Sequence, residues 1–311
     1  LYSEIVRSSE YIQQLLGFIR CEYGLDGASI VPAKRGFYGE TWKLGTADSS
    51  YFIKTAYPSS HMRLYEGSFP VIEHLCRHGI DFISRIVKSL SGRLSTRFDG
   101  AVLGVFEWID GENRQDEITK VQEYQMLAKV YKVPVIPDIA PREHFSTGSA
   151  DAFFRLWASL PLDSPMRASI GQRRARIEHR AERLRIFAER CSGDASPLYI
   201  THGDAGGNFL VGDGKNYIVD WDTPILAPPE RDAWFGIGWD WAIEAFRDAL
   251  RQQGIDYTLR KERMAYYSYN MYFYYLNAFM EKYILTGATQ GFEEFMDDWI
   301  EESFQYADRI N

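Results

Sequence analysis

The chain of 311 residues is longer than one compact core usually holds, and with 45% hydrophobic residues it can bury a sizeable interior in one large domain or two lobes. Its 35 basic and 43 acidic residues give a formal charge of −8, which argues against a general polyanion binder but leaves room for a locally basic nucleotide pocket and for a cationic partner. Three cysteines, Cys21, Cys76 and Cys191, are odd in number and far apart, so they signal neither a disulfide framework nor a zinc site, and a reducing cytoplasm is the expected location.

The opening segment "LYSEIVRSSEYIQQLLGFIR" lacks a basic region followed by an uncharged apolar core. No apolar run anywhere approaches the roughly 20 residues that span a bilayer, so neither secretion nor a membrane helix is expected. From about residue 8, "SSEYIQQLLGFIRCEYG" sets Tyr11, Leu15, Phe18 and Ile19 at helical spacing between serine caps and Gly24, and reads as a helix. "ASIVPAK", "GETWKLGT" and "SYFIKT" then read as an antiparallel meander of three strands. "YEGSFPVIEHLCRHG" is helical in spacing, with a first turn made doubtful by Pro70. "IVKSL", "GRLSTRF" and "AVLGVFEWI" resume strands, with turns at Ser91-Gly92 and Asp99-Gly100.

After "DGENR" at residues 110–114 the character changes to mostly helices. "DEITKVQEYQMLAKVYK" is amphipathic, "PVIPDIAPREHFSTG" is a proline-rich loop, and "RASIGQRRARIEHRAERLRIFAER" predicts one long arginine-rich helix with glutamates among its cations, a salt-bridged surface rather than a nucleic-acid patch. "MAYYSYNMYFYYLNAFMEKY" carries aromatics so dense at helical spacing that they read as core between helices and not as a binding cage. The fold class that follows is α+β with two lobes: residues 1–110 form a small antiparallel-sheet lobe ending in a hinge near 106–111, and residues 111–311 form a larger helical lobe.

Inside the second lobe lies "YITHGDAGGNFLVGDGKNYIVDWDTP", two strand-like runs around a segment that concentrates carboxylates and an amide. Phosphoryl transfer asks little covalent work of a protein. It needs metal ions on the phosphate oxygens, a cation on the phosphates and a carboxylate near the accepting hydroxyl. Asp204 is placed to take the hydroxyl proton, Asn208 and Asp220 offer the oxygen ligands that Mg²⁺ prefers, and Lys54, on the third predicted strand, offers the cation. Asp204 alone would be an ordinary turn residue; the four residues in this order on these elements favour the kinase reading. His202 is expected to hold the loop by hydrogen bonds.

"HGDAGGNFLV" followed by "YIVDWD" resembles the catalytic and metal-binding loops of the aminoglycoside phosphotransferase family, antibiotic kinases with a protein-kinase-like bilobal fold. "VDWDTPILAPPERDAWF" is especially similar to its spectinomycin-modifying members. The resemblance implies Asp204 as catalytic base, Asn208 and Asp220 as Mg²⁺ ligands, and Lys54 as the phosphate-binding lysine, with Glu66 as its ion-pair partner and Glu73 as the rival. It implies that the backbone of Glu107 and Ile109 in "VFEWIDG" holds the base of ATP or GTP, and that Gly36 and Gly39 in "KRGFYGET" belong to a loop over the phosphates. The family places four residues between the catalytic Asp and the Asn; here there are three, and Gly206 and Gly207 are expected to supply unusual backbone angles that let Asn208 reach the metal.

The function expected is therefore O-phosphorylation of an aminoglycoside or aminocyclitol, spectinomycin-like, in the cytoplasm, with antibiotic resistance as its consequence and with no nucleic-acid or membrane partner. Asp222 is either a metal or substrate contact or the cap of a turn, and Asp240 and Glu244 are candidates for the acceptor's ammonium groups. Arg231 and Asp232 read as structural. Two rivals remain open: a kinase of the same fold acting on choline, a methylthio sugar or a homoserine-like amino acid, and a nucleotide-binding pseudokinase.

Overall fold

A computed structural model describes residues 7–33, 39–193, 195–212, 214–289, 291–296 and 301–310. The chain forms two compact units, one of Leu1–Thr119, Lys129–Pro141 and His202–Pro224, the other of Lys120–Ala128, Arg142–Thr201 and Ile225–Asn311.

The first unit opens with helix α1 (Ser9–Tyr23), started by the Ser8 hydroxyl accepting the Tyr11 N–H at 3.2 Å and ended by Gly24 at φ 69°. Its buried stripe of Tyr11, Leu15, Ile19 and Tyr23 packs on one face of a sheet through Leu44, Ile53 and Val105. That sheet contains β1 (Ser29–Pro32), β2 (Glu40–Gly45), β3 (Ser50–Ala56), β4 (Ile86–Val87), β5 (Thr96–Phe98) and β6 (Ala101–Glu107), all antiparallel, in the order β1-β2-β3-β6-β4 with β5 also on β6. The β5–β6 hairpin turns at Asp99 and Gly100, with φ of 47° and 78°, the pair of positive angles a two-residue turn needs to match strand twist.

Helix α2 (Ser59–Arg77) covers the other face of the sheet, where Phe69 meets Phe106 edge-on at 5.3 Å. It begins six residues before the predicted segment, and Pro70 lies within it. Pro70 cannot donate to the Glu66 carbonyl, but the helix is held from the buried side by Tyr65, Phe69, Ile72 and Leu75. A short strand β7 (Gly111–Asn113) pairs with the hairpin formed by Phe209–Gly212 and Asn216–Ile218. The proposed catalytic loop opens this hairpin and Asp220 follows it.

The second unit is helical. It includes most of α3 (Glu117–Val130), then α4 (Gly148–Ser159), α5 (Pro165–Gln172), α6 (Arg174–Cys191), α7 (Glu230–Ala233), α8 (Asp240–Gln252) and α9 (Lys261–Thr286), with a strand pair between Tyr199–Thr201 and Ile225–Ala227. The arginine-rich segment is two helices and not one: the chain leaves helical geometry at Arg173, φ −104° and ψ 9°. Repeating polar residues carry no sign of that break. The aromatics of α9 are core as expected, with Tyr266, Tyr267, Tyr269, Tyr272 and Phe273 buried against Phe153 of α4 and Leu184 and Phe187 of α6. No described helix is long and apolar enough to cross a membrane.

Candidate active site

Strand β3 presents alternate residues to opposite faces of the sheet. Ile53 goes to the α1 side, and Lys54 goes to the α2 side, opposite Thr41 of β2 and Gly104 of β6. The Lys54 ammonium is bonded to Asp220 Oδ1 and, at 2.5 Å, to Asp222 Oδ2. Lysine and the two strand-end aspartates thus meet within the first unit, although more than 160 residues separate them in sequence. The lysine side chain is 10% exposed, whereas the aspartates are 41% and 27% exposed, so the cation is sunk and the carboxylates line its solvent side.

Two like charges on one ammonium do not titrate alike. Burial works against ionisation of Asp220, but the Lys54 charge and hydrogen bond prevail and hold its carboxyl below the ordinary range. Burial and the neighbouring Asp220 charge push Asp222 up to about 7, with Lys54 opposing. Asp220 also has φ 64°, a left-handed conformation that a non-glycine residue adopts at a cost, and its carbonyl accepts the Asp222 N–H at 2.9 Å. The tight turn is what puts two carboxylates on one cation. Asp222 is therefore more than the cap of a turn: it shares the lysine with Asp220.

His202 is buried and holds the preceding loop, as expected. Its Nδ1 accepts the Asp204 N–H at 3.2 Å, which leaves Nε2 to carry the proton donated to the Val219 carbonyl at 2.9 Å. The ring lies edge-on to Trp221, whose indole N–H donates to Ile218 O at 3.0 Å. The histidine thus ties the Asp204 backbone to the strand that leads into Asp220.

The one-residue-short loop is closed by a 3-10 turn, Gly206–Asn208, with the Asn208 N–H on Ala205 O at 2.9 Å. Gly206 and Gly207 do not supply the unusual angles expected of them. The left-handed glycine in this stretch is Gly203, φ 87°, and the turn itself uses ordinary right-handed geometry. Asn208 donates its amide to the Asp204 carbonyl at 2.7 Å, and its own carbonyl accepts the Val219 N–H at 3.0 Å. Asn113 of β7 donates to Gly207 O at 2.5 Å and fixes the turn from outside.

Other expected residues are placed differently. Neither Glu66 nor Glu73 pairs with Lys54: Glu66 is held by Arg97 at 2.5 Å, and Glu73 by Arg77 at 2.8 Å and Lys88 at 2.6 Å. The reason is helix phase, because the residue of α2 that faces Lys54 is Tyr65, and the next position is turned about 100° away. The N–H of Glu107 donates to Arg85 O at 2.9 Å and its carbonyl accepts from the Ser84 hydroxyl at 2.7 Å, so the sheet edge uses most of the backbone assigned to the nucleotide base. Ile109 has no backbone partner among the described residues and keeps both groups available. Gly36 lies outside the described residues. Gly39 has φ 74°, and a Cβ there would stand 2.1 Å from Thr55 O, so only glycine fits. Asp240 and Glu244 are exposed on α8 in the second unit, with Glu244 bonded to Arg251 at 2.7 Å. Arg231 is structural, donating to Thr201 O at 3.1 Å and Thr201 Oγ1 at 3.0 Å.

Among the described residues no group of three His, Cys, Asp or Glu side chains forms a metal cage. The donors available are the carboxylates of Asp220 and Asp222 and the amide oxygen of Asn208, whose nitrogen is committed to Asp204. This hard-oxygen set suits Mg²⁺, which is commonly held by one or two carboxylates and completed by phosphate and water.

Residues 29–267 match the model of the APH phosphotransferase enzyme family. Solved structures similar to the chain include spectinomycin phosphotransferase in complex with ADP and spectinomycin, with TM-score 0.73, 20% identity and coverage of 98% of this chain and 94% of that one. They also include amicoumacin kinase in complex with AMP-PNP and Ca²⁺, with TM-score 0.63, 15% identity and coverage of 99% and 94%. A Plasmodium vivax ethanolamine kinase has TM-score 0.61, 13% identity and coverage of 99% and 89%. No curated protein matches the sequence. The antiparallel sheet and helical portion reproduce the kinase-like α+β fold of these structures, and with the family match spanning most of its length the chain belongs to the APH phosphotransferase enzyme family.

Proposed function

We propose that the protein is a small-molecule kinase that transfers the γ-phosphoryl group of ATP or GTP to a hydroxyl of a cationic aminoglycoside or aminocyclitol, with spectinomycin the first candidate. The observation that carries this reading is the linkage of Lys54 to Asp220 beside a loop in which Asn208 is tied to both Asp204 and Val219. A lysine, a metal-ligating carboxylate, an amide oxygen and a candidate base are then one connected assembly, as phosphoryl transfer requires.

In this mechanism Lys54 exchanges its aspartate partners for nucleotide phosphates. Asp220 and the Asn208 amide oxygen would hold Mg²⁺, which would supply neutralisation of phosphate charge. Asp222, sharing the lysine with Asp220, belongs to the phosphate and metal side more than to the acceptor. Asp204, partly exposed and fixed by His202 through its backbone, accepts the proton of the attacking hydroxyl. The backbone of Ile109 takes the nucleotide base, and Gly39 lets the chain pass close to the phosphates. Residues 1–110 supply the nucleotide lobe and residues 111–311 the catalytic loop and acceptor-binding helices, with Asp240 and Glu244 as carboxylates for the acceptor's ammonium groups. Such an enzyme works in the cytoplasm and confers antibiotic resistance.

The named substrates of the similar structures, spectinomycin and amicoumacin, support an antibiotic acceptor. The ethanolamine kinase, similar over 99% of the chain, supports a second reading in which the acceptor is a small amino alcohol. Intact Lys54, Asp204, Asn208 and Asp220 support an active enzyme over a pseudokinase. A coupled screen for ADP or GDP release across aminocyclitols, aminoglycosides, ethanolamine and choline, with product mass measured, tests all three. Spectinomycin should gain one phosphate; turnover of choline or ethanolamine alone would refute the antibiotic acceptor, and nucleotide binding without any turnover would refute the enzyme.

A further inference from the structure

Helix α2 offers Lys54 an aromatic ring where the resemblance implies a carboxylate. The ammonium stands 4.9 Å from the ring centroid of Tyr65, a residue 1% exposed. The ring is deliberately backed: Tyr65 stacks on Phe69 at 5.7 Å, and Phe69 fills the space left by Gly104, the residue paired with Lys54 across β3 and β6. A Cβ on Gly104 would come within 2.6 Å of the Phe69 ring, so a glycine in the middle of a central strand, ordinarily unfavourable, makes this stack possible. Cation–π attraction is strongest where the ammonium is desolvated, as here.

The Tyr65 hydroxyl is the second observation. It is buried, and its O–H has no acceptor among the described residues, the Lys54 ammonium beside it being a donor. It lies 3.2 Å from the point a Cβ on Gly39 would occupy, beside the ammonium and the two aspartates. Burial raises the phenol well above its usual pKa, Lys54 acts against the rise, and Asp222 and Asp220 add to it, so the oxygen keeps its proton. An unsatisfied buried donor costs stability and persists where something else is gained.

We propose that Tyr65 is the positioning residue for Lys54 in place of an acidic residue on α2, and that its hydroxyl donates to a phosphate oxygen of the bound nucleotide. The ring fixes the ammonium without placing a third carboxylate on it, so its hydrogen bonds would pass to phosphate were Asp220 and Asp222 to hold a metal. The hydroxyl gains the acceptor it lacks in the free protein. This rests on the kinase reading but not on the identity of the acceptor.

The test is calorimetric binding of Mg·ATP, Mg·GTP and the corresponding nucleosides to the wild type, Y65F and Y65L, with thermal melting of each free protein. Y65F should bind the preferred triphosphate about tenfold more weakly, the scale of one hydrogen bond to a charged group, while nucleoside affinity stays the same and the free protein melts no lower. Y65L should lose more triphosphate affinity than Y65F, and the extra loss should vanish in a K54A background. Wild-type triphosphate affinity in Y65F, or equal weakening of nucleoside and triphosphate, overturns the assignment while leaving the kinase reading intact. A wild type that binds neither triphosphate overturns both.

Discussion

The two units each contain a buried cation held by acidic neighbours, and the pairs are built to different ends. In the second unit Glu230 and Arg263 are 0% and 1% exposed. The glutamate accepts from the Tyr257 hydroxyl and the Arg260 N–H, both at 2.8 Å, while Arg263 donates to Tyr257 and to Ser196 and stands 3.5 Å from the glutamate. Both carboxylate oxygens are occupied, and burial raises the Glu230 pKa against these bonds. In the first unit the carboxylates on Lys54 are partly exposed, one of them on a strained backbone, and a buried hydroxyl beside them has no acceptor among the described residues. A network whose carboxylate oxygens are both buried and occupied holds structure, whereas partly exposed carboxylates on a locally strained backbone leave acceptor positions open to a ligand.

That contrast predicts opposite failures. Asp220→Ala should remove metal-dependent nucleotide positioning and lower turnover by about 10³-fold or more, several kcal/mol of transition-state stabilisation, while urea denaturation shows little loss of stability. Relief of the φ 64° conformation by Asp220→Gly, equally inactive but more stable than Asp220→Ala, would sharpen the point. If Asp220→Ala unfolds the protein, the cluster on Lys54 is structural and the contrast is lost.

Asp204→Asn should lower kcat by about 10²- to 10⁴-fold, the scale of a general base, with Mg²⁺-dependent nucleotide affinity retained in calorimetry. Loss of the nucleotide as complete as in Asp220→Ala would place Asp204 in the metal shell instead. Arg263→Ala should do the reverse of both. It strands the Glu230 carboxylate, and denaturation should show about 3–5 kcal/mol of lost stability, with kcat per folded molecule unchanged. Removing both partners together, as Glu230→Gln with Arg263→Met, should cost less than Arg263→Ala alone.

The members of the first cluster were legible in sequence because they sit on elements with strong local signals. Lys54 follows a run of strand formers, and Asp204, Asn208 and Asp220 lie in order around one hairpin. Partners that depend on rotation about an element were not legible. Glu66 and Tyr65 are adjacent, and only the packing of Phe69 into the gap at Gly104 decides which of them faces the lysine. The break at Arg173 was hidden for a related reason: helical spacing continues on both sides, and a change of axis leaves no mark in polar residues. The contacts of the Glu107 backbone with Ser84 and Arg85 come from a neighbouring edge and leave no mark in its own segment.

Asn113 belongs to the same class of residue, and it yields the smallest effect expected here. In sequence it stands in "DGENR", after which the chain turns mostly helical; in the fold it lies on β7 beside the hairpin and donates to Gly207 O. That bond stands where one loop residue fewer separates Asp204 from Asn208, and it holds the turn from which Asn208 reaches Asp204. Because the bond is exposed, Asn113→Ala should cost only about 0.5–1.5 kcal/mol, and because it supports the loop, the cost should fall on function. The Mg²⁺ concentration giving half-maximal activity should rise a few-fold, with nucleoside affinity and melting temperature unmoved. An Asn113→Ala enzyme with an unchanged Mg²⁺ dependence would mean that His202 and the 3-10 turn hold Asn208 unaided.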